Sequence, residues 1–216
     1  MNILALDCSG KQLYVVAEAC GQKAERLFTG AQTQHSQNLL PEVDALLKSL
    51  GAELSDMDTF CAVTGPGSFT GIRIGVTTVR AFAQCFGKPC IGVNSLRLRA
   101  YNVQKTGVLV PMTDAVRGSV YLSAYQGNSV LLPAAVCPLS EVAARVKSAL
   151  PKEFADALFI YEQDIEGIAN RVAPAADNKL LTLAQELLTG GGAVPYESLA
   201  PEYAELSQAE KLWASK

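Results

Sequence analysis

The sequence predicts an α/β protein made of two similar lobes. The first observation is the order of elements, because three strand-like segments precede a helix–strand–helix–strand succession in residues 1–103. The second is a repeat of one spacing. The distance along the chain from Asp7 to Tyr14 equals that from Asp114 to Tyr121, and each pair lies in a strand–turn–strand pattern. The first half has the element order of a ribonuclease-H-like lobe, and two such lobes would make an actin-like ATPase fold (the ASKHA group).

The first half alternates strands and helices. Apolar residues at helical spacing, followed by the stop signal Gly51, predict a helix that tolerates Pro41 in its first turns. Short apolar runs between turn residues predict the strands. The predicted strands are residues 3–7, 13–17, 23–29, 60–64 and 90–93, and the predicted helices are 36–50, 68–86 and a short one beginning at Ser95.

The second half has room for a smaller set of elements. After its strand–turn–strand at 108–125, the sequence predicts a helix at 140–149, a strand at 158–161 and a helix at 178–189. We therefore expect a trimmed second lobe. The predicted domains are 1–104 and 105–216, and residues 207–216 are expected to form a short helix that packs back on the first lobe.

Composition narrows the class of protein. The chain has 216 residues, 49% of them hydrophobic, and a formal net charge of −3, which is typical of a soluble globular protein. The absence of any run of five or six like charges argues against a self-sufficient nucleic-acid binder. We expect no membrane helix, since no apolar stretch approaches about 20 residues, and no basic leader is visible. A cytoplasmic location with six reduced cysteines is therefore expected.

The sequence contains a single histidine, His35. A zinc site of three histidines, or the paired histidines of an H-E-x-x-H motif, cannot be built from one. A Ser-His-Asp triad would have to use His35 alone. One helical turn after it, where a metal-binding helix would place a second histidine, stands Leu39. We therefore predict neither a metal site nor a catalytic residue.

A glycine-rich segment at 65–75 follows a predicted strand and opens a predicted helix. Free backbone N–H groups at such a junction can hold an anion. A tight turn in which Ser68 caps the helix is an equally good interpretation. Cys8 stands where a hydroxyl would have helped to bind phosphate, and Gly190–Gly192 is the sole candidate for an adenine loop. The candidate phosphate-binding residues are Asp7, Ser9, Gly65, Gly67 and Ser68.

The predicted helix 68–86 presents two features. Ile72, Val76 and Val79 belong to an apolar stripe that can pack on the protein's own sheet. Gly71 and Gly75 lie one turn apart, which would let a partner helix approach closely. Two faces of one helix can serve both uses, and we expect the face that carries the two glycines to contact a partner helix.

Five segments together resemble one bacterial family. They are residues 3–7, 35–41, 65–75, 92–96 and 114–121, in which the run Gly-Pro-Gly-Ser-Phe-Thr-Gly is the most specific. This pattern is similar to the TsaB family, also called YeaZ, densely over residues 1 to about 125 and faintly at the family's ending near residue 200. Two departures stand out: Cys8 replaces the family's usual threonine, and Ala200 stands where the family usually has arginine.

The resemblance implies a non-catalytic role. TsaB proteins are actin-like relatives of TsaD, the enzyme that completes threonylcarbamoyladenosine beside the anticodon of tRNAs reading codons that begin with A. The implied partners are a TsaD-like paralogue, a TsaE-like ATPase and, indirectly, tRNA, and a homodimer is expected when the chain is alone. This chain would need no cofactor of its own, since ATP and metal belong to the partner complex.

The resemblance also implies that the partner contacts the two main helices of the first lobe. The residues expected at this interface are Leu39, Leu40, Val43, Leu47, Gly71, Ile72, Gly75, Val76 and Val79. The alternative function is an independent small ATP-binding enzyme of the same fold. The presence of a single histidine argues against a metal-dependent peptidase.

Overall fold

A computed structural model describes residues 1–29 and 35–204. Within these ranges the chain divides into two compact units. The first unit comprises Met1–Leu98 and Lys179–Glu202, and the second contains Arg99–Asn178.

This division differs from the predicted one at residue 104. The change of unit falls a few residues earlier, and residues 179–202 return to the first unit. The return has a physical cause, because the helix in this segment buries apolar residues such as Leu180 and Leu183 on the first unit's sheet. The helix predicted at 207–216 lies outside the described residues.

The first unit is built on a five-stranded sheet in the order β3-β2-β1-β4-β5. The first three strands form an antiparallel meander, whereas β4 and β5 run parallel to β1. All the predicted strands of this half are present. Their bounds are β1 Ile3–Asp7, β2 Leu13–Ala19, β3 Gln22–Phe28, β4 Thr59–Gly65 and β5 Cys90–Asn94.

The helices cover both faces of this sheet. Helices α1 (His35–Ser49) and α2 (Phe69–Phe86) share a core with the residues of β1 that point to their side, such as Leu4 and Leu6. Helix α3 (Ser95–Val103) follows β5 directly. Helix α5 (Leu180–Thr189) packs against β1, β2 and β5. Since β1 alternates its side chains across the sheet, this strand can be buried on both sides.

The second unit has a five-stranded sheet of its own, in the order β10-β9-β6-β7-β8, and one main helix. The strand–turn–strand at 108–125, the helix after it and the strand beginning at Leu158 match the prediction. The strands β8 and β10 were not predicted. The bounds are β6 Val108–Asp114, β7 Ser119–Gln126, β8 Ser129–Pro138, α4 Val142–Ala149, β9 Leu158–Ile160 and β10 Arg171–Val172.

The repeat between the halves is one of pattern rather than of register. In the first unit Asp7 lies opposite Tyr14 in the antiparallel pair. In the second, Asp114 lies opposite Val120, and Tyr121 lies opposite Thr113. The strand pairing of the second hairpin is therefore shifted by one residue relative to that of the first.

The six cysteines are free, and four of them are buried. Burial raises the pKa of the thiols of Cys8 and Cys61, and raises that of Cys90 to about 11. These thiols therefore stay protonated at neutral pH and behave as small apolar core residues. None of the helices in the described ranges has the length and apolar character that crossing a bilayer requires.

Asp114 of the second unit is held by a buried tyrosine. The Tyr161 hydroxyl donates to Asp114 Oδ1 at 2.6 Å, and the side chain of Tyr161 is almost fully buried. Burial and this carboxylate raise the pKa of Tyr161. Removing the hydroxyl with Tyr161→Phe is therefore expected to lower the free energy of unfolding by about 1–2 kcal/mol, measured by urea denaturation. Tyr203→Phe, at a tyrosine that is 44% exposed, is the control and should change little.

Candidate partner-binding groove and the adjoining glycine loop

The loop between β4 and α2 meets the turn that follows β1. Asp7 Oδ1 accepts hydrogen bonds from the backbone N–H of Ser9 at 2.8 Å and from its hydroxyl at 2.6 Å. The Ser9 carbonyl in turn accepts from the N–H of Ser68 at 2.7 Å. The predicted residues Asp7, Ser9 and Ser68 do come together, and hydrogen bonds join them to one another and to the start of α2.

The glycines of this loop are required by close backbone contacts. A Cβ atom added to Gly67 would lie 2.3 Å from the carbonyl oxygen of Ser9, and one added to Gly71 would lie 2.0 Å from that of Cys8. Space at the start of α2 is therefore taken by the turn after β1. Phosphate binding by Asp7, Ser9, Gly65, Gly67 and Ser68 stays a prediction.

Ser68 is the N-cap of α2, as one of the two interpretations of the loop predicts. Its hydroxyl oxygen accepts from the backbone N–H of Gly71 at 3.2 Å. An alanine here would leave that N–H without its side-chain acceptor. Ser68→Ala is expected to lower the free energy of unfolding by about 1 kcal/mol, measured by chemical denaturation. Ser68→Asp, which restores an acceptor at the positive end of the helix, should recover most of the loss.

The predicted interface needs correction. Most of its side chains are buried in the first unit's own core, because the apolar stripe of each helix faces the sheet. The glycine pair also faces inward, since a Cβ on Gly71 or Gly75 would meet Cys8. Leu40 alone is exposed, by 55%. The buried members are Leu39, Val43, Leu47, Ile72, Val76 and Val79.

A solvent-accessible groove lies between α1 and α2, and its volume is about 520 Å³. Its rim carries Leu40 and Phe69, the latter 43% exposed. The guanidinium of Arg73 lies 4.0 Å from the centre of the Phe69 ring, a cation–π contact. The lining residues are Ser36, Leu39, Leu40, Phe69, Thr70, Arg73, Ile74, Thr77 and Thr78.

The groove can hold apolar side chains of another protein. Aromatic and arginine residues close together at an apolar surface are the composition typical of protein–protein hot spots. The interface predicted from the sequence included neither Phe69 nor Arg73. The available signal was their spacing of four residues, which puts both on one side of α2, away from the buried stripe.

His35 lies at the start of α1, with its Nε2 3.3 Å from the carbonyl oxygen of Gln12. This contact suits a packing or capping role. Over residues 1–29 and 35–204, no three histidine, cysteine, aspartate or glutamate side chains cluster closely enough to hold a metal ion.

The chain is similar in sequence to known proteins. The family model described as TsaD, tRNA N6-adenosine threonylcarbamoyltransferase, matches residues 29–157. The tRNA threonylcarbamoyladenosine biosynthesis protein TsaB of Bacillus subtilis (strain 168) is 28% identical over 99% of this chain and 98% of its own length. The protein of the same name from Escherichia coli (strain K12) is 33% identical over 58% of this chain and 55% of its own.

Among solved structures, YeaZ from Pseudomonas aeruginosa superposes with a TM-score of 0.74 at 28% identity, covering 94% of this chain and 99% of that one. The two mixed sheets and their helices thus define an α/β protein of the actin-like, ribonuclease-H-like class. Within this class, the chain belongs to the TsaB (YeaZ) family, whose shared domain the TsaD model describes.

Proposed function

We propose that this chain is a non-catalytic subunit of the system that installs threonylcarbamoyl on adenosine in tRNA. It would hold a TsaD-like catalytic paralogue in a competent state, with the groove between α1 and α2 as its docking surface. The substrates would be tRNAs that read codons beginning with A. The observation that carries the proposal is the exposed Leu40–Phe69 rim on a chain of the TsaB family.

The groove supports this role by its chemistry. An exposed leucine and an exposed phenylalanine on neighbouring helices leave apolar area in water, and covering that area stabilises a complex. The hydroxyls of Ser36 and Thr77 supply hydrogen-bonding groups at the same surface. Two helices of a paralogue with the same fold could pack here and complete a four-helix interface.

The histidine count supports the assignment of chemistry to the partner. With His35 alone in the sequence, paired metal-binding histidines on one helix cannot form. The proposal therefore places ATP and metal in the partner complex and gives this chain no cofactor. A TsaE-like ATPase would bind the assembled pair, and tRNA contact would be indirect, consistent with the net charge of −3.

The test is light scattering of the purified chain alone and mixed with the TsaD-like paralogue from the same organism. A species at the summed mass is expected. A homodimer of the isolated chain, formed through the same groove, should disappear in the mixture because both assemblies compete for one surface. Failure to associate, with or without the TsaE-like ATPase and ATP, would contradict the proposed scaffold role.

A further inference from the structure

Residues 199–202, which we call the strap, cross the carboxyl ends of β4 and β5 in the first unit. Before them, Val194 exchanges two backbone hydrogen bonds of 2.8 Å with Cys90, which ties the chain to the outer edge of β5. Leu199 is then buried in the unit's core. Finally, the backbone N–H of Glu202 donates to the carbonyl of Thr64 at 2.8 Å. The strap is thus fixed by backbone and apolar contacts as well as by side chains.

Two glycines make room for the strap. A Cβ atom on Gly65, whose φ is +116°, would lie 2.6 Å from the carbonyl oxygen of Glu202. A Cβ on Gly92 would lie 2.9 Å from Thr64 Cγ2 on the neighbouring strand and 3.2 Å from Leu199 Cδ1. Gly65 therefore leaves room for the backbone of the strap, and Gly92 leaves room for both Thr64 and Leu199.

The Glu202 carboxylate binds one donor on each strand. The hydroxyl of Thr64 lies 2.7 Å from Glu202 Oε1 and 3.2 Å from the carbonyl of Val93. A hydroxyl has a single proton, and the shorter contact to a charged acceptor is the stronger one. The side-chain amide of Asn94 donates to Glu202 Oε2 at 2.7 Å.

The orientation of Asn94 is fixed from its other side. Its Oδ1 accepts from the backbone N–H groups of Leu96 at 3.0 Å and Arg97 at 3.1 Å, at the start of α3. The amide nitrogen must therefore face Glu202. Thr64 is 2% exposed, so its hydroxyl also has little freedom to turn elsewhere.

We propose that Thr64 and Asn94 form an oxyanion-binding site, and that the chain's own Glu202 carboxylate occupies it. The ligand class is a carboxylate or phosphate group, which presents two oxygens at the spacing that Glu202 now supplies. The position is a common one for ligands, because open α/β sheets bind them at the carboxyl ends of their parallel strands. The site opens to an external anion when Glu202 is removed or displaced.

The test uses the full-length chain and follows the backbone amide signals of Thr64 and Asn94 by NMR during titration. The probes are sodium acetate, inorganic phosphate and ATP, at constant ionic strength. In Glu202→Ala, acetate or phosphate should shift both signals saturably, with a Kd at least about tenfold lower than in the unmodified protein. Glu166→Ala, at an exposed glutamate of the second unit, should titrate like the unmodified protein.

Two further variants isolate the cause. Thr64→Val in the Glu202→Ala background removes one donor at nearly constant volume and should abolish the shifts. Glu202→Gln keeps an oxygen acceptor and should keep the amide of residue 202 protected from hydrogen exchange. Equal titration of Glu202→Ala and the unmodified protein would overturn the proposal. Shifts that persist without the Thr64 hydroxyl would do the same, as would a response to ATP alone, which would assign binding to the nucleoside.

Discussion

Replacing Gly71 with alanine is expected to lower the free energy of unfolding of the first unit by more than about 3 kcal/mol. The added Cβ would lie 2.0 Å from the carbonyl oxygen of Cys8, and two backbones would have to move apart. That movement would strain the bond from Ser68 N–H to the Ser9 carbonyl. The higher intrinsic helix propensity of alanine, about 1 kcal/mol, is too small to offset it. Urea denaturation monitored by circular dichroism measures the change.

Gly75→Ala is the matched control, one turn further along the same helix. Its Cβ would lie 3.4 Å from the Cβ and Sγ atoms of Cys8, an ordinary contact distance. Alanine there gains helix propensity without a clash, so stability should stay the same or rise by up to about 1 kcal/mol. A loss of similar size at both positions would contradict the contact geometry at Gly71.

The order of strands and helices could be predicted because local patterns of apolar residues in the sequence determine it. The apolar run at 3–7 and the helical spacing from Leu39 to Leu50 each fix a type of element with its approximate ends. Strand β8 was missed because Pro133 and mostly exposed or half-buried side chains break its pattern. Such a strand is tolerated at the edge of a sheet, where proline costs no ladder hydrogen bond on the open side.

Helix α5 shows what periodicity cannot supply. Its apolar face predicts burial, but the pattern does not say which sheet will bury it. The same limit applies to the site. The stripe of Ile72 and Val76 was compatible with packing on the sheet or on a partner. In the structure it packs in the core of the first unit. The exposed pair Leu40 and Phe69 could be recognised only once the buried faces of both helices were known.

Leu40→Asp is expected to weaken association with the TsaD-like paralogue by roughly 100-fold, or about 2.7 kcal/mol. The reason follows from the proposed docking surface. Leu40 is 55% exposed on the rim of the groove, so a partner would bury it, and the change replaces an apolar contact by a carboxylate that must be desolvated on binding. Because Leu40 is exposed in the free chain, the substitution should change the free energy of unfolding little. Isothermal titration calorimetry or light scattering across a concentration series measures the affinity.

Val130→Asp is the matched control, because Val130 is also 55% exposed but lies on β8 of the second unit. It introduces the same carboxylate on an aliphatic position outside the groove and should leave the affinity within about threefold. Thermal denaturation should show that both variants are folded. If both weaken binding equally, the partner covers a surface other than the groove, or charge alone governs association. If only Leu40→Asp does, the exposed rim of α1 and α2, rather than their buried stripe, is the surface that the paralogue contacts.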